Sequence, residues 1–273
     1  MRRRLSDLTI KDAFMFAAVM SDEKQCRRFL EIALEMKILE VHPIAEKSFS
    51  FNPDYRGIRL DVLAEEQGTK RKFDVEMQVR PEVALSKRTR YYHSQLDLDA
   101  LVTGAGYENL PDTYVIFICD FDPFGDQMYR YTIRRRCDEN DKCISDGQMT
   151  IYLSSKGTND SEVPEELVQF LKYVRRPENS SGEGESFTDD VRRQVEAIKR
   201  DRSWEAKFML LEEMMRDERA EGRREGRQEG QNMERTRMNR LVQLLSEHNR
   251  LEDIVKAASD SEYQEALFKE FNL

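Results

Sequence analysis

The chain is poor in the side chains that build several common active sites. Its three histidines, His42, His93 and His248, lie far apart, and none is expected to act as a ligand or base. Its four cysteines, Cys26, Cys119, Cys137 and Cys143, form no C-x-x-C pair and no zinc spacing. A reduced, intracellular protein is the expectation. There is no P-loop, no G-x-S-x-G and no H-E-x-x-H. No apolar run approaches the roughly 20 residues of a membrane span. The opening MRRRLSDLTIKDAF is basic but continues in charges rather than an apolar run, so no signal peptide is expected. These absences predict a soluble, cytoplasmic protein with no membrane role. Positive charge is also in deficit, with 44 Lys and Arg against 53 Asp and Glu and a net charge of −9. Any nucleic-acid binding would therefore need a local basic patch.

What is present is a chain of 273 residues, enough for one large domain or a domain with an appendage. Charged residues make up 36%, above the usual quarter, so part of the chain should be solvated helix or tail. Residues 9–20 and 23–36 read as two helices separated by a break and cap at Ser21-Asp22. ILEVHPI reads as a short strand or extended link stopped by Pro43. Two strand-like runs, GIRLDVLAE and KRKFDVEMQV, follow with a turn near EQGT. A long helix is expected over 82–105. TYVIFICDFDPF has the continuous apolar character of a central buried strand. MYRYTIRRRC and GQMTIYLSSKG suggest a further hairpin, and EELVQFLKYVRR a helix. The mixed order of elements predicts one α/β or α+β domain over 1–175. RPENSSGEGESF, residues 176–187, reads as a linker or exposed loop, and 188–273 as helical.

The stretch DVEMQV carries Asp74, Glu76 and Gln78 on one face of a strand, with Val75, Met77 and Val79 on the other. The preceding run alternates too, with Ile58, Leu60 and Val62 opposed to Arg59, Asp61 and Leu63. If the apolar faces match, paired residue numbers must total an odd number. A total of 135 sets Asp61 against Asp74, and one of 137 sets it against Glu76. Opposed Cβ atoms lie roughly 4.5–5.5 Å apart, where like charges are destabilising unless neutralised. A hard divalent cation would neutralise them. The competing reading is a polar surface hairpin whose acids pair with Lys70, Arg71, Lys72 or Arg80.

The pattern resembles the PD-(D/E)xK nuclease superfamily, and more closely its recombination-promoting nucleases, or transposases of that type. The stretches that carry the likeness are TIKDAFMFAAVMSDEKQCRRFLEIAL, RLDVLAEEQGTKRKFDVEMQV, RTRYYHSQLD and FICDFDPF, together with a charged, glycine-punctuated C-terminal helix. The resemblance implies a restriction-endonuclease-like core, a mixed sheet flanked by helices, with a helical C-terminal tail. It implies a metal-dependent DNA endonuclease linked to recombination or mobile elements. Asp61 and Glu76 would hold Mg²⁺ or Mn²⁺, helped by the backbone carbonyl of Met77. Gln78 stands where the superfamily has lysine, and would orient water without supplying charge. Asp74 would be a supporting group or an extra ligand. Glu31 occupies roughly the place of a helix-borne acid that some members use as a ligand; a solvent-facing role is the alternative. DNA would be held by Arg80, Lys87, Arg88 and Arg90, with Arg134–Arg136 as further candidates. Tyr91 and Tyr92 could stack on bases or pack inward.

The tail segment AEGRREGRQEGQN repeats every four residues, with Glu221, Glu225 and Glu229 in one stripe and Arg223 and Arg227 in another. Such a helix has a reason to form against a second copy, so a homo-oligomer is expected; a frayed, solvated helix is the alternative. Ser259 and Glu262 suggest a capping box for a last helix. A catalytically silent DNA-binding or oligomerising protein that retains the nuclease fold is the rival functional reading.

Overall fold

The computed structural model describes residues 3–49, 58–178 and 184–273. Helix α1 (Ala13–Met20) begins later than its periodicity predicts, because residues 9–12 close a turn instead: the Thr9 backbone N–H donates to the Asp12 carboxylate at 2.8 Å. Every residue from Met15 to Met20 is buried, which explains a sequence apolar on all sides. Helix α2 (Glu23–Leu34) starts where expected, with Asp22 accepting from the Gln25 N–H at 2.9 Å.

Strand β1 (Val41–Ala45) runs through Pro43 rather than stopping at it. It is an edge strand, which tolerates a missing N–H. The expected single strand from Ile58 onward is broken in two. Strand β2 (Ser48–Phe49) pairs with β3 (Ile58–Arg59) in a separate two-stranded ribbon, whereas β4 (Val62–Glu66) enters the main sheet beside β1. Glu46, in the left-handed region at φ 53°, kinks the partner strand opposite this break. Its N–H donates to the Asp61 carbonyl at 2.9 Å, and the Leu60 N–H donates to the Lys47 carbonyl at 2.8 Å. Asp61 therefore sits at the joint between the two sheets.

Strand β5 (Lys72–Gln78) is antiparallel to β4 and parallel to β6 (Thr113–Cys119), which is wholly buried as its composition predicts. Strands β7 (Arg130–Ile133) and β8 (Gln148–Ser154) form the expected antiparallel pair, and β8 runs parallel to β6. The six-stranded order is β1-β4-β5-β6-β8-β7. Helix α3 (Leu85–Ala100), shorter than the expected 82–105, covers one face, where Leu85, Tyr92 and Leu96 join Leu63, Val115, Phe117 and Tyr152. On the other side α1, α2, α4 (Glu165–Arg175) and α5 (Phe187–Arg200) form a layer, with Phe29 against Phe170 and Phe187 at 5.5 and 6.4 Å. This is a mixed sheet flanked by helices, the architecture of the PD-(D/E)xK nuclease fold.

Residues 179–183 of the expected loop 176–187 lie outside the described residues. Because α5 packs on α1, α2 and α4, the chain divides into compact units after Glu205 and not at that loop. Helix α6 (Arg202–Glu247), α7 (Leu251–Ser259) and α8 (Ser261–Glu270) follow. In the second unit Leu241, Leu245, Ala257, Leu267 and Phe268 make a small core. Ser259 does not cap α8. Its hydroxyl donates to the carbonyls of Val255 and Lys256, and Asp260 caps the helix through the Tyr263 N–H at 3.0 Å.

Candidate active site

The register decides which acids meet. Val62 pairs with Val75 and Leu63 with Asp74, so paired numbers total 137 and the ladder runs on toward Asp61 and Glu76. Two hydrogen bonds then lock the pair across the joint. The Asp61 N–H donates to Glu76 Oε1 at 2.9 Å, and the Met77 N–H donates to Asp61 Oδ2 at 3.0 Å. Each acid thus accepts one backbone N–H from the segment opposite, which fixes one oxygen of each carboxylate.

The polar face of DVEMQV is not a surface face. In the parallel pairing Asp74, Glu76 and Gln78 sit beside Val115, Phe117 and Cys119, the residues of β6 that pack with α3. The site therefore lies under α3, with Asp74 completely buried and Glu76 2% exposed. Burial, then the charge of Asp61, pushes the Glu76 carboxyl up to about 8. Burial also raises Asp61, opposed by its bond from Met77 and by the charges of Arg59 and Arg88. Asp74 is raised well above the usual carboxylate range by burial, then by the charge of Glu76 and a side-chain hydrogen bond with it. Two buried acids and the half-buried Asp61 have thus been brought together with too little positive charge.

The competing surface pairing does not occur for Arg71 or Lys72. Arg71 bonds Glu66 at 2.6 and 2.7 Å, and Lys72 bonds Asp99 of α3 at 2.7 Å. Among the described residues the cation hydrogen-bonded to the site acids is Arg88, from α3. Its Nη2 donates to Glu76 Oε2 at 2.8 Å and its Nη1 to Gln78 Oε1 at 2.9 Å. Gln78 is held at its other end, its Nε2 donating to the Arg80 carbonyl at 2.7 Å. Arg88 is thus an internal partner of the acids as well as a candidate DNA contact.

The remaining candidates are dispersed around this centre. Lys87 lines a cavity of about 520 Å³ with Arg59, Arg88, Tyr91 and Tyr92. Arg90 lines another of about 320 Å³ with Arg134, Arg135 and Phe124. Arg80 is exposed beyond β5. Arg135 is paired with Asp146 at 3.0 Å and Arg136 with Asp141 at 2.7 Å, whereas Arg134 has no carboxylate partner among the described residues. Glu31 accepts from the Ile38 N–H at 3.2 Å, and among the described residues no hydrogen bond or ion pair joins it to the site acids. Tyr92 is 5% exposed and Tyr91 half-buried. His93 is buried between Thr113 and Thr150, bonded to both, and burial lowers it to about 4, so it is neutral and structural. Sequence reasoning did not assign roles to Arg59 or Glu82, or a polar role to Tyr92. The spacing of Arg88 and Tyr92, four apart on one helix, was the available signal.

Among the described residues no three His, Cys, Asp or Glu side chains converge to hold a metal ion. Asp61 and Glu76 still fit one. They are hard oxygen donors, fixed by backbone bonds, and their raised protonation marks a deficit of positive charge that a divalent cation would fill. Two carboxylates completed by water and phosphate oxygens suffice for Mg²⁺.

No curated protein and no solved structure matches the chain. Residues 10–225 match the family described as PD-(D/E)XK nuclease family transposase, covering the helices, the hairpin, the site and the start of α6. With the braced acids on a mixed sheet and this match over most of its length, the chain belongs to the PD-(D/E)XK nuclease family transposases.

Proposed function

We propose that this chain is a metal-dependent DNA endonuclease that hydrolyses phosphodiester bonds in recombination or in the movement of mobile elements. The observation that carries the reading is the reciprocal lock of Asp61 and Glu76 at a buried, cation-deficient centre. Asp61 and Glu76 would hold Mg²⁺ or Mn²⁺. Such an ion, when bound, polarises the scissile phosphate and lowers the pKa of a bound water. Gln78, with its amide oriented from both ends, positions that water by hydrogen bonding. Asp74, fully buried beside Glu76 and raised well above the usual carboxylate range, acts on it through a side-chain hydrogen bond. Glu31 has no part in this reading.

The DNA backbone is held by Arg59 and Lys87 in the cavity that Arg88 lines, and by Arg90 and Arg134 in a second cavity, with Arg80 at the exposed end of β5. Chemistry resides in the first unit, whose helical layer α5 completes, and the helices after Glu205 serve assembly, with self-association through α6, where residues 221–236 are exposed throughout. Four unpaired cysteines accord with a reduced, cytoplasmic setting. The uncharged Gln78 favours a second reading, a catalytically silent protein that binds DNA or oligomerises on the same fold.

The deciding experiment is plasmid nicking with Mg²⁺ or Mn²⁺ by the wild type, Asp61→Ala and Glu76→Ala. Cleavage that needs metal and disappears in both variants supports the endonuclease. DNA binding without cleavage by any of the three supports the silent fold. Equal cleavage by all three refutes this site.

A further inference from the structure

Hydrolysis of a phosphodiester builds negative charge on the phosphoryl oxygens in the transition state, and fixed positive charge near them accelerates it. Strand β5 supplies none at the centre, since Gln78 is neutral. Among the described residues one cation is hydrogen-bonded to the acids, and it comes from α3. Arg88 donates to Glu76, Gln78 and Glu82 through its two terminal nitrogens, at 2.8, 2.9 and 3.1 Å. Its Nε donates to the Tyr92 hydroxyl at 2.8 Å. The guanidinium also lies 5.4 Å from the Phe117 ring centroid and 5.0 Å from that of Tyr92.

This geometry needs arginine. Four bonds leave three nitrogens of one planar group, and an ammonium on a flexible stem cannot reach the tyrosine and the glutamate at once. The side chain is 28% exposed, and while bonded to Glu76 it also lines the 520 Å³ cavity with Arg59, Glu82 and Lys87. It is therefore placed between the carboxylates and any phosphate entering that cavity.

We propose that Arg88 is a positioning residue that works in two states: it holds Glu76 and Gln78 while the centre lacks metal, and yields Glu76 to the cation and bonds the substrate phosphate when both arrive. This rests on the endonuclease reading above. Two consequences follow. Arg88 competes with the metal for Glu76 Oε2, so metal affinity and cleavage move in opposite directions when it is removed. A lysine at position 78 would press a second cation against the guanidinium, so the positive charge can sit on β5 or on α3 but not on both.

The test compares the wild type, Arg88→Met, Arg88→Lys, Gln78→Lys/Arg88→Met and Asp61→Ala. Mn²⁺ affinity is measured by titration calorimetry and plasmid nicking in parallel. Arg88→Met should bind Mn²⁺ roughly tenfold more tightly, since one charge-assisted bond no longer competes. Its nicking should fall about 100-fold. The double variant, with the charge returned on β5, should regain at least about tenfold of that loss. Arg88→Lys keeps the charge but loses the fork, and should nick less than wild type with its fold intact; this decides the matter if Arg88→Met does not fold. Mn²⁺ affinity and nicking at wild-type levels in Arg88→Met, or a double variant no better than Arg88→Met, overturns the proposal. If Asp61→Ala abolishes Mn²⁺ binding while the Arg88 variants change nothing, only the role of Arg88 fails. If Asp61→Ala binds Mn²⁺ as the wild type does, the metal centre itself is misplaced and both readings fall.

Discussion

In the absence of metal, the protein should lose stability as pH rises from 5 to 9, by a margin that Glu76→Gln removes. The Glu76 carboxyl, ordinarily near 4.5, is pushed to about 8 by burial and by Asp61. Between those values the folded chain keeps a proton that the unfolded chain has released. The folded state therefore binds more protons, and its stability falls as pH rises. The contribution is complete below about 4.5 and gone above about 8. At 1.36 kcal/mol per unit the difference is about 5 kcal/mol, or on the order of 10 °C in melting temperature for a unit of this size. Glutamine keeps the acceptor for the Asp61 N–H and has nothing to ionise. Thermal unfolding in EDTA across this range, wild type against Glu76→Gln, reads the titration of Glu76 together with its interacting neighbours Asp61 and Asp74. Added Mn²⁺ should raise the wild-type melting temperature more at pH 8.5 than at pH 5.5, because the ligands must be deprotonated. Parallel pH profiles for the two proteins, or wild-type stability that rises relative to the variant through pH 6–8, would refute the electrostatic account of the site.

Two further outcomes are expected. His93, buried neutral and lowered from 6.5 to about 4, should make the folded state lose stability as pH falls through that window, by about 3 kcal/mol. Because the unfolded chain binds the extra proton, His93→Gln should remove that part of the acid sensitivity in equilibrium unfolding. A Cβ built at Gly222, Gly226 or Gly230 meets nothing within 4 Å. Alanine at all three should stabilise an unpaired α6 by about 0.5–1 kcal/mol per site. If a second copy packs on the glycines, the same changes should weaken self-association in sedimentation, and unchanged association would remove the glycine face as the contact.

Much of the fold is legible from periodicity. The buried strand β6 reads from an unbroken apolar run, and α2 from Asp22 with the amphipathic stretch behind it. The β7–β8 hairpin reads from two strand-like runs around a polar loop. The misreadings share a cause, which is that local pattern does not know its neighbours. Pro43 stops a central strand but not an edge strand. Ser259 and Glu262 have the spacing of a capping box, yet Asp260, one residue on, makes the cap. The run from Ile58 to Val62 alternates without interruption, but a kink at Glu46 on the partner strand splits it from the strand that follows.

The site divides in the same way. Alternation in two neighbouring runs was enough to put Asp61 on the side of Asp74 and Glu76, because a strand's period of two excludes every even register. Which acid Asp61 would meet depended on the turn and on the ladder it closed, and only the folded hairpin selected Glu76. That the acids are buried was invisible locally, since a polar face looks the same under solvent or under a helix. It was the packing of α3 across that face that desolvated Asp74 and Glu76, raised their protonation, and brought Arg88 onto both Glu76 and Gln78. The sequence by itself determined the chemistry of the donors, and tertiary structure decided their electrostatics, because a charge's cost depends on the neighbours and solvent around it, which distant segments supply.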